Sequence, residues 1–294
     1  MRLLKGLLAL AITAIPATLA FAQDRPRIVA VNYPLQYLAE RLVGDAADVD
    51  FPVPTDVDPS FWRPSIADIS AIQSSDLILL NGAGFATWVD RVSLPRSKVV
   101  NTTAAIEDQF IITESITHSH GEGEEHSHEG LASYVWLDPS LALAQAEAIG
   151  DALSARGIVP QDDLDESLAT LRAEFEALDT ETVAALADLN DVQMIATHPR
   201  YQYFARRYGV EITSLEWEAG AAPTDAELAE LESVIADSGA GILIWEATPP
   251  AEAFDQTAAL GLQNVVFPTL AHPVGGATLP QVLSTAVTAL SEVE

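Results

Sequence analysis

A chain of 294 residues with 43 acidic and 14 basic side chains carries a formal charge of −29 and has no cysteine. Such a surface repels nucleic acid and anionic lipid and draws cations, although much of the excess acid also fits adaptation to a salty medium. With disulfides excluded, stability must come from burial, and roughly 270 residues beyond the N-terminal segment are enough for two ordinary cores.

Residues 1–22 read "MRLLKGLLALAITAIPATLAFA": a basic start (Arg2, Lys5), an apolar run, then Ala20-Phe21-Ala22. This is the pattern of a secretory signal peptide, with the mature chain starting near Gln23. The apolar run is short for a membrane span and is interrupted by Pro16. No cysteine follows the cleavage site to take a lipid anchor. The expectation is a soluble protein of an exported compartment, the periplasm, acting as a monomer.

Short β-branched runs followed by helical patterns then recur, the signature of βαβ units and parallel sheet. The first half offers strands at 27–32, 48–53, 76–82 and 98–102, and the second at 192–198, 210–215, 241–246 and 264–270. The predicted fold class is α/β, with two similar lobes, each a four-stranded mainly parallel sheet flanked by helices. Between the two strand sets Leu164, Leu168, Leu171, Phe175 and Leu178 step by four, three, four and three, one face of a helix. Long and free of glycine and proline, that helix reads as a rigid connector allowing only limited lobe motion. The predicted division is a leader over 1–22, an N-terminal lobe over 23–160, a connector over 161–190 and a C-terminal lobe over 191–294. A ligand site is expected in the cleft at the carboxyl ends of the strands.

Within the first lobe "THSHGEGEEHSHEG" (117–130) holds four of the six histidines: His118, His120, His126 and His128. Two H-x-H pairs among four glutamates suit a borderline-soft divalent cation, zinc first and copper or nickel next. Glycine and serine make the segment too pliable for a preformed tetrahedral site. The alternative is a solvated acidic loop.

Four further segments fall at strand ends facing the cleft: "DVDPSFWRPSIADI" (56–69), "YVWLDPSLALAQAEAI" (134–149), "THPRYQYFARRYGV" (197–210) and "VVFPTLAHPVGG" (265–276). With the leader, the lobes, the connector and the His-rich loop, they resemble the zinc/manganese-type periplasmic solute-binding proteins of ABC importers, the ZnuA/TroA-like family. The resemblance covers essentially the whole mature chain. It implies two lobes joined by a long helix, capture of Zn2+ (or Mn2+, or another divalent transition metal) in the cleft, and delivery to the membrane permease of an ABC importer.

The family's four metal ligands are a histidine after D-P, a histidine before V-W-L-D-P, a histidine or glutamate in the H-P segment, and an aspartate in the last strand's loop. Their places here read Ser60, Tyr134, His198 and Pro268 or Thr269. Only His198 is a usual ligand, and a serine or tyrosine hydroxyl is a poor substitute for zinc. Glu216, Glu218, Glu246 and His272 also lie just beyond strand ends, and Glu216 and His272 are the first candidates to refill the site beside His198. Each has a plainer reading as a loop residue or hydrogen-bond acceptor. Arg63 and Arg200 either enter the cleft, where a guanidinium repels a bare dication and cannot ligate, or pair with acids on the surface. Asp138 reads as a helix N-cap with Pro139 in the first turn. Trp62, Trp136, Trp217 and Trp245 read as core residues before an aromatic ligand box.

No G-x-S-x-G, no H-E-x-x-H and no glycine-rich phosphate loop after the first strand is present, so an enzyme is not expected. Two functions remain. One is the metal-binding component of an ABC uptake transporter, with zinc as its cargo. The other is a relative that has lost bare-metal binding and takes an anionic or chelated ligand, or acts by docking to a partner.

Overall fold

The computed structural model describes residues 25–113, 130–189 and 192–293. The expected leader over 1–22 and His118, His120, His126 and His128 lie outside these described residues. The eight anticipated strands all form, each two to three residues shorter than its apolar run. In the first lobe they are β1 (Arg27–Ala30), β2 (Asp48–Asp50), β3 (Leu77–Leu80) and β4 (Val99–Asn101), in the order β2-β1-β3-β4. Every pairing in this sheet is parallel. Helices α1 (Tyr33–Val43) and α2 (Ile66–Ser74) interleave with these strands. The pattern does not announce β5 (Ile112–Thr113) and β6 (Gly130–Leu131), a two-residue antiparallel pair at the base of the His-rich segment.

The helix α3 (Pro139–Ala155) and the connector α4 (Gln161–Ala185) follow. The second lobe comprises β7 (Gln193–Ala196), α5 (Gln202–Tyr208), β8 (Glu211–Ser214), α6 (Asp225–Ser238), β9 (Ile242–Trp245), α7 (Ala251–Ala259), β10 (Gln263–Val266) and α8 (Leu279–Ser291). Its sheet is also all parallel, in the order β10-β9-β7-β8. Buried on both faces, the central strands β3 and β9 are apolar throughout and β1 and β7 are so after their first residue, as parallel sheets favour.

Helix starts follow local chemistry. Asp138 caps α3 by accepting from the Ser140 amide at 2.9 Å, with Pro139 in the first turn. Capping boxes open α2 (Ser65 with Asp68), α6 (Thr224 with Glu227) and α8 (Thr278 with Gln281). At the end of β3, Gly82 (φ +72°) is required twice over. Its backbone is left-handed, and a Cβ there would sit 2.0 Å from Thr103 Oγ1.

The two cores expected from length are largely one. Along β7 and β9 side chains alternate, Met194, Ala196, Ile242 and Ile244 turning to the same cluster as the first lobe's Ile28, Leu79 and Trp136. Ile195, Leu243 and Trp245 turn the other way into a satellite cluster with Trp217 and Leu231. The connector buries Leu164, Leu171, Phe175 and Leu178, with Leu168 partly buried, against α1, α3 and α8. No described helix is long and apolar enough to cross a membrane.

Salt bridges tie the connector to each lobe. The Arg41 guanidinium of α1 grips Glu174 with two bonds of 2.7 and 2.8 Å, and Arg207 of α5 grips Asp179 likewise. Hydrogen bonding to Arg41 and to Arg207 holds the Glu174 and Asp179 carboxyls below their usual values. A depressed folded-state pKa gives stability that is present above the unfolded value and lost as pH falls through the folded one. Acidification below about pH 4 should therefore weaken the fold, each half-exposed pair accounting for about 1 kcal/mol or less. Urea midpoints at pH 7 and pH 3 check this, and Arg41→Met should shrink the difference between them.

Candidate metal and solute cleft

The carboxyl ends of both sheets converge on a cavity of about 740 Å³ between the lobes. The first lobe contributes the loop after β2, with Asp56, Asp58 and Phe61, and the segment before α3, with Tyr134. The second contributes His198 and Arg200 after β7, Glu216 to Glu218 after β8, Glu246 after β9, and Pro268 to His272 after β10. Parallel strands place such loops side by side at one edge of a sheet, so residues distant in sequence share one wall.

A buried polar network steadies the first-lobe wall. Asn81 Oδ1, at the end of β3, accepts from Asn32 Nδ2 at 3.1 Å and Gln145 Nε2 at 3.2 Å, while Asn81 Nδ2 donates to the Ser133 carbonyl at 3.0 Å. The neighbouring Tyr134 ring packs on Trp136 and Phe85, with centroids 4.7 and 5.5 Å apart. The fully buried Trp136 indole donates to the Thr269 carbonyl of the other lobe at 2.8 Å.

At the cleft floor sits Arg200, 8% exposed. Its Nη2 donates to Asp58 Oδ2 at 2.8 Å, across the lobes, and its Nε lies 3.7 Å from Glu246 Oε2, a charge contact too long for a hydrogen bond. The guanidinium lies over the Tyr134 ring, 4.5 Å from its centroid, with Phe61 at 5.7 Å. Asp58 is oriented by accepting at Oδ1 from the Ser60 amide (2.8 Å) and hydroxyl (2.6 Å), and Glu246 Oε1 accepts from the Thr269 hydroxyl at 2.9 Å. Burial raises the Glu246 carboxyl above its usual range even though Arg200 and Thr269 pull it down. Burial works against the Arg200 charge too, but Tyr134, Glu246 and Asp58 outweigh it, and its pKa stays raised. Arg200 is therefore charged at all ordinary pH.

Both histidines are positioned by backbone carbonyls. His198 Nδ1 donates to the Trp217 carbonyl at 2.8 Å, which leaves the lone pair of the neutral ring on Nε2. His272 Nε2 donates across the lobes to the Val57 carbonyl at 2.7 Å, and its Nδ1 is buried without a hydrogen-bond partner.

The candidate ligands His198, Glu216 and His272 thus share one cavity, with Glu246 and Glu218 in the same wall. Among the described residues, no group of three or more His, Cys, Asp or Glu side chains is close enough to hold a metal ion. Ser60 and Tyr134 support Asp58 and Arg200 instead of ligating. The two arginines part company: Arg200 enters the cleft, whereas Arg63 is exposed and does not line it. Trp62, Trp136, Trp217 and Trp245 are all buried, as core residues should be, and Trp217 also lines the cavity. Sequence reasoning passed over Asp58, treating the D-P phrase as a frame for its neighbour. The available signal was the acid's own place in the loop that follows a strand, beside the segments already expected to face the cleft.

Comparison with known proteins places this geometry. Residues 28–293 match the family model described as "Zinc-uptake complex component A periplasmic". The zinc-binding lipoprotein AdcA of Streptococcus pneumoniae is 26% identical over 230 residues, covering 76% of this chain and 46% of AdcA. The chain therefore spans about half the length of that relative. The high-affinity zinc uptake system protein ZnuA of Bacillus subtilis is 27% identical over 272 residues, covering 84% of this chain and 79% of that one. Among solved structures, the metal-dependent lipoprotein YcdH of Bacillus subtilis superposes with a TM-score of 0.76 at 21% identity, covering 91% of this chain and 98% of the other. The Zn(II)-bound ZnuA-like domain of Streptococcus pneumoniae AdcA gives 0.75 at 20% identity, covering 92% and 98%. The two four-stranded parallel lobes and the match over nearly all of the described chain make it a member of the ZnuA family of periplasmic zinc-uptake components.

Proposed function

We propose that this protein is the solute-binding component of an ABC-type uptake system whose cargo is zinc. It would be exported by its leader, act as a monomer in the periplasm, have no nucleic-acid partner and hand its cargo to a membrane permease. Manganese or another divalent transition metal is the next cargo to test. The observation that carries this reading is the family match over residues 28–293. The charge of the cleft agrees with it: Asp56, Asp58, Glu216, Glu218 and Glu246 face a single arginine, so a cation is drawn in.

His198, with a carbonyl fixing its tautomer, is the first ligand to consider, and Glu216 and His272 are its candidate partners. The segment 117–130 is proposed to collect zinc at modest affinity through His118, His120, His126 and His128. Neutral imidazoles are the metal-binding form, so this binding should weaken as pH falls through about 6.5. Deleting 117–130 should remove most of the weakly bound zinc without unfolding the chain, as calorimetric titration and far-UV circular dichroism would record. Unchanged stoichiometry would acquit the segment. A strain lacking this chain should fail to grow under zinc chelation and recover on zinc addition. Normal growth there would refute the uptake role.

The Asp58–Arg200–Glu246 contact favours a second reading, in which zinc enters the cleft with ligands of its own. The cavity volume has room for them. The same five carboxylates oppose an anionic ligand, so of the chemistries considered from sequence the chelated cation is retained and the anion set aside.

A further inference from the structure

Asp58 comes from the first lobe, Glu246 from the second, and Arg200 stands between them. That is the electrostatic task of a bridging metal ion, done here by a side chain. The guanidinium neutralises carboxylates drawn from both lobes and holds the cleft walls together. It cannot itself be a metal ligand, having only N–H donors to offer. Only two residues before it, His198 has the backbone-carbonyl contact that orients a ligating imidazole. One imidazole and two carboxylates are donor types that zinc takes, with water as a fourth ligand, but with Arg200 between the carboxylates no three such side chains among the described residues stand close enough to hold an ion.

We infer that Arg200 is the specificity-determining residue of this cleft, a built-in competitor that bare zinc must displace from Asp58 and Glu246. The inference rests on the reading of the cleft as the solute site. It explains why the cavity can be acidic enough to attract a dication and yet ill-prepared to hold one. Attraction at long range depends on the summed charge, whereas tight coordination needs lone pairs that are not already committed to a guanidinium. It also gives Ser60 and Thr269 a purpose, since each points a carboxylate toward the arginine.

The test is zinc titration of the full mature chain against a competing chelator, comparing the unmodified protein with three variants. Arg200→Met keeps a side chain of similar length without charge and should add one zinc site per chain. That site should bind on the order of a hundredfold more tightly than the cleft of the unmodified protein. Arg200→Lys keeps the charge and should add none. Arg200→Met combined with Asp58→Asn should lose the gained site. The His-rich segment is common to all four proteins and cancels. The inference is overturned if Arg200→Met binds zinc as the unmodified chain does, if Arg200→Lys gains the same site, or if the gain survives Asp58→Asn. Should Arg200→Met not fold, Arg200→Leu, equally uncharged and unable to donate to Asp58, carries the same expectation. Failure of the uptake role would show in the zinc-starved strain and leave these titrations unaffected.

Discussion

Asp58→Ala is expected to destabilise the protein by about 3 kcal/mol, a large effect for one residue of a loop. The cost arises less from the lost bond than from what stays behind. Arg200 is buried, its charge persists at every ordinary pH, and its remaining carboxylate, Glu246, lies 3.7 Å away. A charge left in that position without its hydrogen-bonded partner has neither water nor a full counter-ion. Asp58→Asn should cost less, because its amide oxygen can still accept from Nη2. Adding Arg200→Met to Asp58→Ala should recover most of the loss, since no charge then remains to satisfy. Urea denaturation of the unmodified chain, Asp58→Ala, Arg200→Met and the double variant forms a double-mutant cycle. An unchanged midpoint for Asp58→Ala would mean that the guanidinium draws its support from elsewhere.

Trp136→Ala should be costlier still, about 4 kcal/mol. The indole is fully buried between Phe85 and Tyr134, and its N–H donates to the Thr269 carbonyl of the opposite lobe. Truncation opens a cavity where the lobes meet and orphans a buried carbonyl at once. Trp136→Phe separates the two contributions: most of the ring packing returns while the hydrogen bond stays lost, so it should cost about 1–2 kcal/mol. Equal losses for the two variants would show that the bond, not the packing, carries the site.

The fold was legible because its signals are local. Runs such as Leu77–Leu80 and Ile242–Trp245 are apolar on both faces, and the spacing from Leu164 to Leu178 admits only a helical stripe. Asp138-Pro139 announced a helix start for reasons within one turn of the chain. The site was legible only as far as strand ends go. Position after β7 tells that His198 and Arg200 face the cleft. It cannot tell which acid arrives from the other lobe, because that depends on how two sheets dock. Glu216, Glu218 and Glu246 all lie just beyond strand ends of Arg200's own lobe, so any of them could have been its partner. Arg200 does approach Glu246, but its closest partner is Asp58, 142 positions away. Arg63 follows a buried tryptophan and looked equally eligible, yet it points to solvent. The pair β5 and β6 escaped notice because two residues are too few for any period to register. The buried cluster of Asn32, Asn81 and Gln145 did so because amides scattered along a sequence carry no pattern until the strands align them.

The continuous core has a consequence for how this molecule comes apart. Met194, Tyr201 and Phe267 of one half share their cluster with Ile28, Trp136 and Leu171 of the rest. Neither half can then melt while its neighbour persists without baring that shared surface. Calorimetry of the whole chain should record a single endotherm whose van't Hoff and calorimetric enthalpies agree. Either half expressed by itself should be a sticky, poorly ordered fragment. On the proposed function, solute exchange in such a body would proceed by small rearrangements of the strand-end loops, on a scaffold that keeps its shape.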